Sequence, residues 1–305
     1  MQNIRFNIGI MVMYYFLKGI NTINLQKKSN KEEYISCTLK INMPNNPNRK
    51  NRFKIKGYKL VWSDEFEYEG KPNEKKWNYD IGNKQWANWE RQAYTDNIEN
   101  AYVKDGKLHI VAINKKDGEC NYTSARLTTH ERVSWKYGYF EIKAKMPKGM
   151  GAWPAIWMMR EYKNDEQKEE WPDSGEIDIV EHCSRLENLL LFSLHSKRHN
   201  CWNFKEQQFS TGYFSCLSVC KKFHTYGMKW DENQFNFYVD GWLVATYKKN
   251  ANEYAKWGDE YWPFDHQFYL IINLAIGGLL GGPLVDSEKM PFVMEVEYVR
   301  IYQKS

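Results

Sequence analysis

Glu176, Asp178 and Glu181 stand together in the run Gly175-Glu176-Ile177-Asp178-Ile179-Val180-Glu181. A pair of carboxylates can divide chemical work, one ionised and one still protonated. At a separation of about 5–5.5 Å, such a pair cleaves a glycosidic bond with retention of configuration. The β-branched residues between the acids favour a strand, on which alternate side chains share a face. Glu176 and Asp178 then point one way, and Ile177 and Ile179 point into a core. A regular strand would turn Glu181 toward that core, where an unpaired carboxylate is costly. One extra residue in a β-bulge removes the conflict and returns Glu181 to the face of the other two. Four pleat steps still leave the Cα atoms of Glu176 and Glu181 roughly 13 Å apart. The sheet must therefore curve for the two carboxylates to converge. Asp178, between them, would hydrogen-bond and orient the nucleophile, while clustered charge raises the pKa of the acid that ionises last. Two other readings are a calcium site and a solvated acidic face, although like charges on an exposed strand repel.

The elements around this stretch read as strands. They are expected at 60–62, 107–113, 124–129, 137–146, 155–159, 189–195, 268–274 and 294–302. Residues 235–244 read as a hairpin with Asp240-Gly241 at its turn. Long helical periodicity is absent. Many short strands separated by turn signals predict an all-β sandwich or barrel. Gly277-Gly278 and Gly281-Gly282 do not form a phosphate loop, because no Lys-Ser/Thr pair follows them.

Composition narrows the classes further. The chain of 305 residues holds 13 Trp and 21 Tyr, more amphipathic rings than a core needs. Such rings suit a binding surface for sugars, though each can equally serve a β-rich core. The net charge of +5 owes much to Lys and Arg residues before position 60. They stand among Asn and Ser, and no nucleic-acid-binding fold follows, so nucleic acid is not an expected partner. Residues 1–22 read as a signal peptide or an uncleaved anchor, with an apolar run at 8–17 too short to span a bilayer as a helix. Residues 23–57 read as a basic polar linker, and 58–305 as the folded domain. A secreted monomer with no membrane attachment after signal removal is expected. Six cysteines, an even number, fit a disulfide-containing secreted chain whose pairing sequence alone does not give. Cys183, His195, His199 and Cys201 offer zinc-ligand chemistry, but at a spacing that matches no established zinc pattern. Asn121-Tyr122-Thr123 is a glycosylation sequon.

Several linked motifs resemble glycoside hydrolase family 16, and within it the laminarinase-type endo-1,3-β-glucanases. They are Val61-Trp62-Ser63-Asp64-Glu65-Phe66, Thr123-Ser124-Ala125-Arg126-Leu127, Trp153-Pro154-Ala155-Ile156-Trp157-Met158 and the acidic run itself. Trp262-Pro263-Phe264, Asn273-Leu274-Ala275-Ile276-Gly277-Gly278 and Glu297-Tyr298-Val299-Arg300 follow. The Glu-x-Asp-x-x-Glu form resembles the bulged branch of the family. The resemblance implies a concave β-jelly-roll sandwich, concanavalin-like, with an open cleft across one sheet. It implies Glu176 as nucleophile, Asp178 as its electrostatic helper and Glu181 as acid/base, acting on β-1,3-glucan. Trp153, Trp157 and Trp171 are the implied stacking platforms, and Arg126 a substrate-side cation. Asn88 aligns with a cleft Asn, although Trp86-Ala87-Asn88-Trp89-Glu90 departs from the family's usual Gly-Asn-Asn-Glu. His195 is expected to face the acid/base, and Asn273 to line the cleft. No cofactor is implied for catalysis. A structural calcium on the convex face would be held by Glu65, the Gly106 carbonyl and Glu297, where the family more often has Asp at the last position.

Two alternatives stand beside this reading. A non-catalytic β-glucan recognition protein can share the fold, but such relatives typically lose the glutamates that this chain keeps. A same-fold hydrolase for mixed-linkage glucan, agarose or carrageenan would differ in its cleft loops, here 161–170 and 201–220.

Overall fold

The computed structural model describes residues 57–84, 86–162, 169–186, 188–201 and 210–305. The expected signal segment, Cys37 and nearly all of the basic linker lie outside the described residues.

The described chain is a β-jelly-roll of two stacked antiparallel sheets. One sheet runs, in order, Ser210–Ser215, Leu189–His195, Glu176–His182, Ala152–Arg160, Phe268–Ile276, Arg126–Thr128 and Asn78–Tyr79. The other runs Trp242–Lys248, Gln234–Val239, His224–Asp231, Gly138–Lys145, Phe292–Lys304, Lys107–Ala112 and Ala101–Lys104. The first strand, Tyr58–Asp64, also pairs with Phe292–Lys304. Seven of the eight expected strands appear, four of them longer than expected, while the strand expected at 124–129 is divided between Tyr122–Ser124 and Arg126–Thr128, which lie in different sheets. The hairpin turns at Asp240 and Gly241, both left-handed at φ 52° and 77°, the backbone a tight two-residue turn needs. A helix at Ala251–Trp257, capped by Asn250 accepting from the N–H groups of Asn252 and Glu253, has too few turns to register as periodicity. A small parallel pair, Gln92–Tyr94 with Tyr122–Ser124, was likewise not foreseen.

Alternation sorts each strand into two faces. Ile156, Met158, Ile177, Leu190, Phe192, Leu270 and Ile272 of the first sheet bury against Phe140, Ile142, Met228, Trp230, Phe235 and Phe237 of the second. Removing that apolar surface from water is the main stabilising term. Among the described residues no helix is long and apolar enough to cross a membrane.

Five cysteines fall among the described residues, and all are free thiols, which corrects the expected disulfide framework. Cys183 is buried and donates to the Leu280 carbonyl at 2.9 Å. The zinc alternative also falls. Among the described residues, Cys183, His195, His199 and Cys201 do not assemble into a metal-competent group.

Candidate active site

The acidic strand carries the bulge that its sequence demands. Against Ala152–Arg160 its register shifts between Asp178 and Val180, and against Leu189–His195 between Asp178 and Glu181. Ile179 and Val180 are consecutive, yet both are fully buried. The extra inward residue returns Glu181 to the outer face.

The register then builds the site row by row. Glu176 stands opposite Met159 and His195, and Asp178 opposite Trp157 and Ser193. Glu181 stands opposite Ala155 and Leu191. One strand further, Asn273 faces Ala155, and Arg126 faces Asn273. Paired residues share a face, so these side chains line one surface.

Different partners converge on each acid. Trp171 Nε1–H donates to Glu176 Oε2 at 2.5 Å. Asp178 also shares a hydrogen bond with Glu176, and its Oδ2 lies 3.1 Å from His195 Nε2. Burial above all, then the charges of Glu176 and Glu181, hold Asp178 protonated well above the usual carboxylate range. In that state its proton is available to Glu176. Glu181 accepts from Trp153 Nε1–H at 3.0 Å. Burial, reinforced by the charge of Glu176, pushes the Glu181 carboxyl up to about 7, against the pull of His195 and the Trp153 hydrogen bond. Two of the three acids on this strand, Asp178 and Glu181, are therefore held toward the protonated form, each by its own surroundings.

Two placements add partners to the sequence reading. His195, expected to face Glu181, acts on that acid through its charge and packs on Asp178, with its ring 6.1 Å from that of Trp171. Asn273 stands in the strand expected to line the cleft, on the face of the acids, and is buried with both ends of its amide hydrogen-bonded to protein. Its Oδ1 accepts from Trp157 Nε1 at 2.7 Å, and its Nδ2 donates to the Tyr94 hydroxyl at 2.8 Å. Asn273 thus orients Trp157. The indoles of Trp153 and Trp171 likewise spend their N–H groups on the two glutamates.

Arg126 packs against two indoles and one carboxylate. Its guanidinium lies 4.7 Å from the Trp157 ring and 5.4 Å from Trp86, and its Nε lies 2.8 Å from Asp80 Oδ2. Asn88 lies in a short 3-10 turn at Ala87–Trp89 and is left-handed at φ 61°. Sequence reasoning missed Glu90, Gln92 and Tyr94. The Glu90 carboxylate accepts from Gln92 Nε2 at 2.7 Å and from the Tyr94 hydroxyl at 3.2 Å, and desolvation raises its pKa. Gln92 Oε1 accepts from the Ile276 N–H at 2.6 Å. Their two-residue spacing was the available signal: a polar face turned inward on a short strand.

The residues proposed for calcium do not fit that ion. The Glu65 carboxylate grips the Arg300 guanidinium through both oxygens, the shortest contact 2.8 Å. Glu297 pairs with Lys143 at 2.5 Å. A cation there would have to displace the Arg300 guanidinium from Glu65 and the Lys143 ammonium from Glu297. Among the described residues, only Glu176, Asp178 and His195 group their ligand atoms within 4.8 Å of one another. Two carboxylates and an imidazole give calcium too few oxygens.

Comparison with known proteins places these observations. The model for glycosyl hydrolases family 16 matches residues 83–297. The beta-glucanase of Rhodothermus marinus is 40% identical over 250 residues, spanning 81% of this chain and 85% of that protein. The X-ray structure of the laminarinase from the same organism aligns with a TM-score of 0.75 at 38% identity, over 81% of this chain and 98% of that one. A mutant of SCLam, a non-specific endo-β-1,3(4)-glucanase, presents 1,3-β-D-cellobiosyl-glucose at its active site. It aligns with a TM-score of 0.74 at 36% identity, over 82% of this chain and 96% of that one.

Proposed function

The chain belongs to glycosyl hydrolase family 16, and we propose that it is a retaining endo-β-1,3-glucanase with Glu176 as nucleophile and Glu181 as acid/base. The observation that carries the reading is the unlike surroundings of two glutamates on one face. Two donors, Trp171 Nε1–H and the Asp178 carboxyl, orient Glu176. Glu181 is held protonated to about pH 7, with one oxygen taken by Trp153. A general acid needs that state at the working pH.

The steps follow from those states. A Glu176 oxygen attacks the anomeric carbon as Glu181 gives its proton to the departing glycosidic oxygen. The bond to that oxygen breaks, leaving a glycosyl ester on Glu176. Glu181, now ionised, takes a proton from water. The hydroxide equivalent attacks the same carbon from the opposite face and releases Glu176, so the configuration is retained. No metal or redox cofactor enters these steps. Asp178 and His195 act through Glu176 as positioning residues, and Trp157, fixed by Asn273 and flanked by Arg126, offers a ring to the substrate.

The substrate assignment rests on the glucanase and laminarinase relatives, and an internal cut suits a cleft that crosses a sheet. Secretion rests on the apolar run at 8–17. The decisive experiment is proton NMR of laminarin hydrolysis, with lichenan and agarose as comparison substrates. A first-formed β-anomer is expected. A first-formed α-anomer would overturn double displacement, and agarose cleavage without laminarin cleavage would overturn the substrate.

A further inference from the structure

The loop at 86–90 is where this chain departs from the family's Gly-Asn-Asn-Glu form, with Trp89 at the position of the second Asn. More than half of the Trp89 surface, 53%, is exposed. Its backbone is left-handed at φ 59°, directly after Asn88 at φ 61°. Asn tolerates that conformation; a bulky ring residue is a genuine outlier there. Backbone strain of this kind persists only where neighbouring structure over-determines it.

The neighbouring structure does so. Glu90 bridges to Gly277, and the Arg91 N–H donates to the Ile276 carbonyl at 2.9 Å. Gly278 is a close-approach point. A Cβ built there would lie 2.8 Å from the Asn88 carbonyl, 3.2 Å from the Trp153 ring and 3.4 Å from Glu90 Cγ. The loop backbone is therefore locked against Trp153, the residue that donates to Glu181. Trp86, three positions back, packs its ring 5.0 Å from Tyr94 and donates its Nε1–H to the Gly82 carbonyl.

We propose that Trp89 is a sugar-stacking platform on the flank of the cleft, taking the apolar face of a glucan pyranose ring away from the bond being cut. This rests on the placement of the active site at Glu176 and Glu181. A half-exposed indole carried on that fixed backbone offers a flat apolar surface whose loop need not be ordered at binding. Trp89 thereby makes affinity depend on glucan chain length.

The test compares Trp89→Gly with wild type. Glycine accepts the left-handed backbone, so the substitution removes the ring without adding strain. On long laminarin, KM should rise about tenfold with kcat within about twofold. On the shortest oligosaccharide cleaved, both constants should hold. Trp89→Tyr should restore most of the loss. In a Glu176→Gln background, titration calorimetry with laminarin should show the same tenfold loss in affinity. An unchanged KM and unchanged affinity would overturn the platform, as would an equal KM rise on the shortest substrate. Turnover that survives Glu176→Gln would instead overturn the active-site reading, so the two failures are distinguishable.

Discussion

Glu181→Gln should stabilise the fold while removing turnover, and the size of the gain follows from the site. In the unfolded chain the Glu181 carboxyl ionises near its ordinary value of 4.5; in the folded chain it holds its proton to about 7. Below 4.5 both states are protonated, and the residue adds no pH dependence. Between the two values the unfolded chain has released a proton that the folded chain keeps. Each rise in pH then favours unfolding. Above about 7 the penalty is complete. At roughly 1.36 kcal/mol per pH unit it amounts to about 3 kcal/mol. Glutamine has no proton to lose, and its carbonyl still accepts from Trp153 Nε1–H. The variant should match wild type near pH 4 and exceed it by about 3 kcal/mol near pH 8, roughly 6–10 °C in Tm. Loss of the Glu181 charge also eases the ionisation of Asp178, which acts in the same direction. Thermal melts followed by near-UV circular dichroism across that pH range provide the assay. A stability gain that is equal at both ends of the range, or a variant less stable than wild type near pH 8, would refute the assignment of Glu181 as a strained, protonated acid.

Other outcomes follow from the same geometry. Glu176→Gln should lower kcat on laminarin by about 10³-fold or more while laminarin affinity persists, measured by initial rates and calorimetry. The alkaline limb of kcat/KM should fall through about pH 7 as Glu181 loses its proton, and a limb unaffected across that range would contradict its role. Asn273→Ala leaves Trp157 Nε1 and the Tyr94 hydroxyl without their amide partner. It should cost about 1–3 kcal/mol of stability, read from urea midpoints, and raise KM. Added calcium and chelator should both leave Tm unchanged, since Glu65 and Glu297 are already neutralised by Arg300 and Lys143.

The bulge is the clearest case of structure legible in sequence. Spacing alone put Glu181 on the wrong face, and the cost of burying a carboxylate demanded one extra residue. Ile179 and Val180, adjacent and both buried, are that residue's signature. The strands were legible for a similar reason: alternation and turn chemistry are local. The contact of His195 with Asp178 was not legible, because it depends on the cross-strand register that sets His195 opposite Glu176. The partners of Asn273 were not legible because alternation reports a face and not depth; one of them, Tyr94, comes from a separate small sheet. The cysteine count suggested bridges, but proximity in space decides pairing, and the fold keeps the described thiols apart as free groups.

Residue types and spacing alone established a bulged acidic strand, an all-β sandwich around it and carboxylate chemistry as the means. Those properties arise from side-chain periodicity and from what each group costs when buried. The division of labour among Glu176, Asp178 and Glu181 belongs to the tertiary structure. Burial raises the proton affinity of Asp178 and of Glu181. The indoles that hold the two glutamates come from Trp153 on the neighbouring strand and from Trp171, which precedes the acidic strand. Desolvation and long-range hydrogen bonds exist only once distant segments meet, so no local reading of the chain contains them.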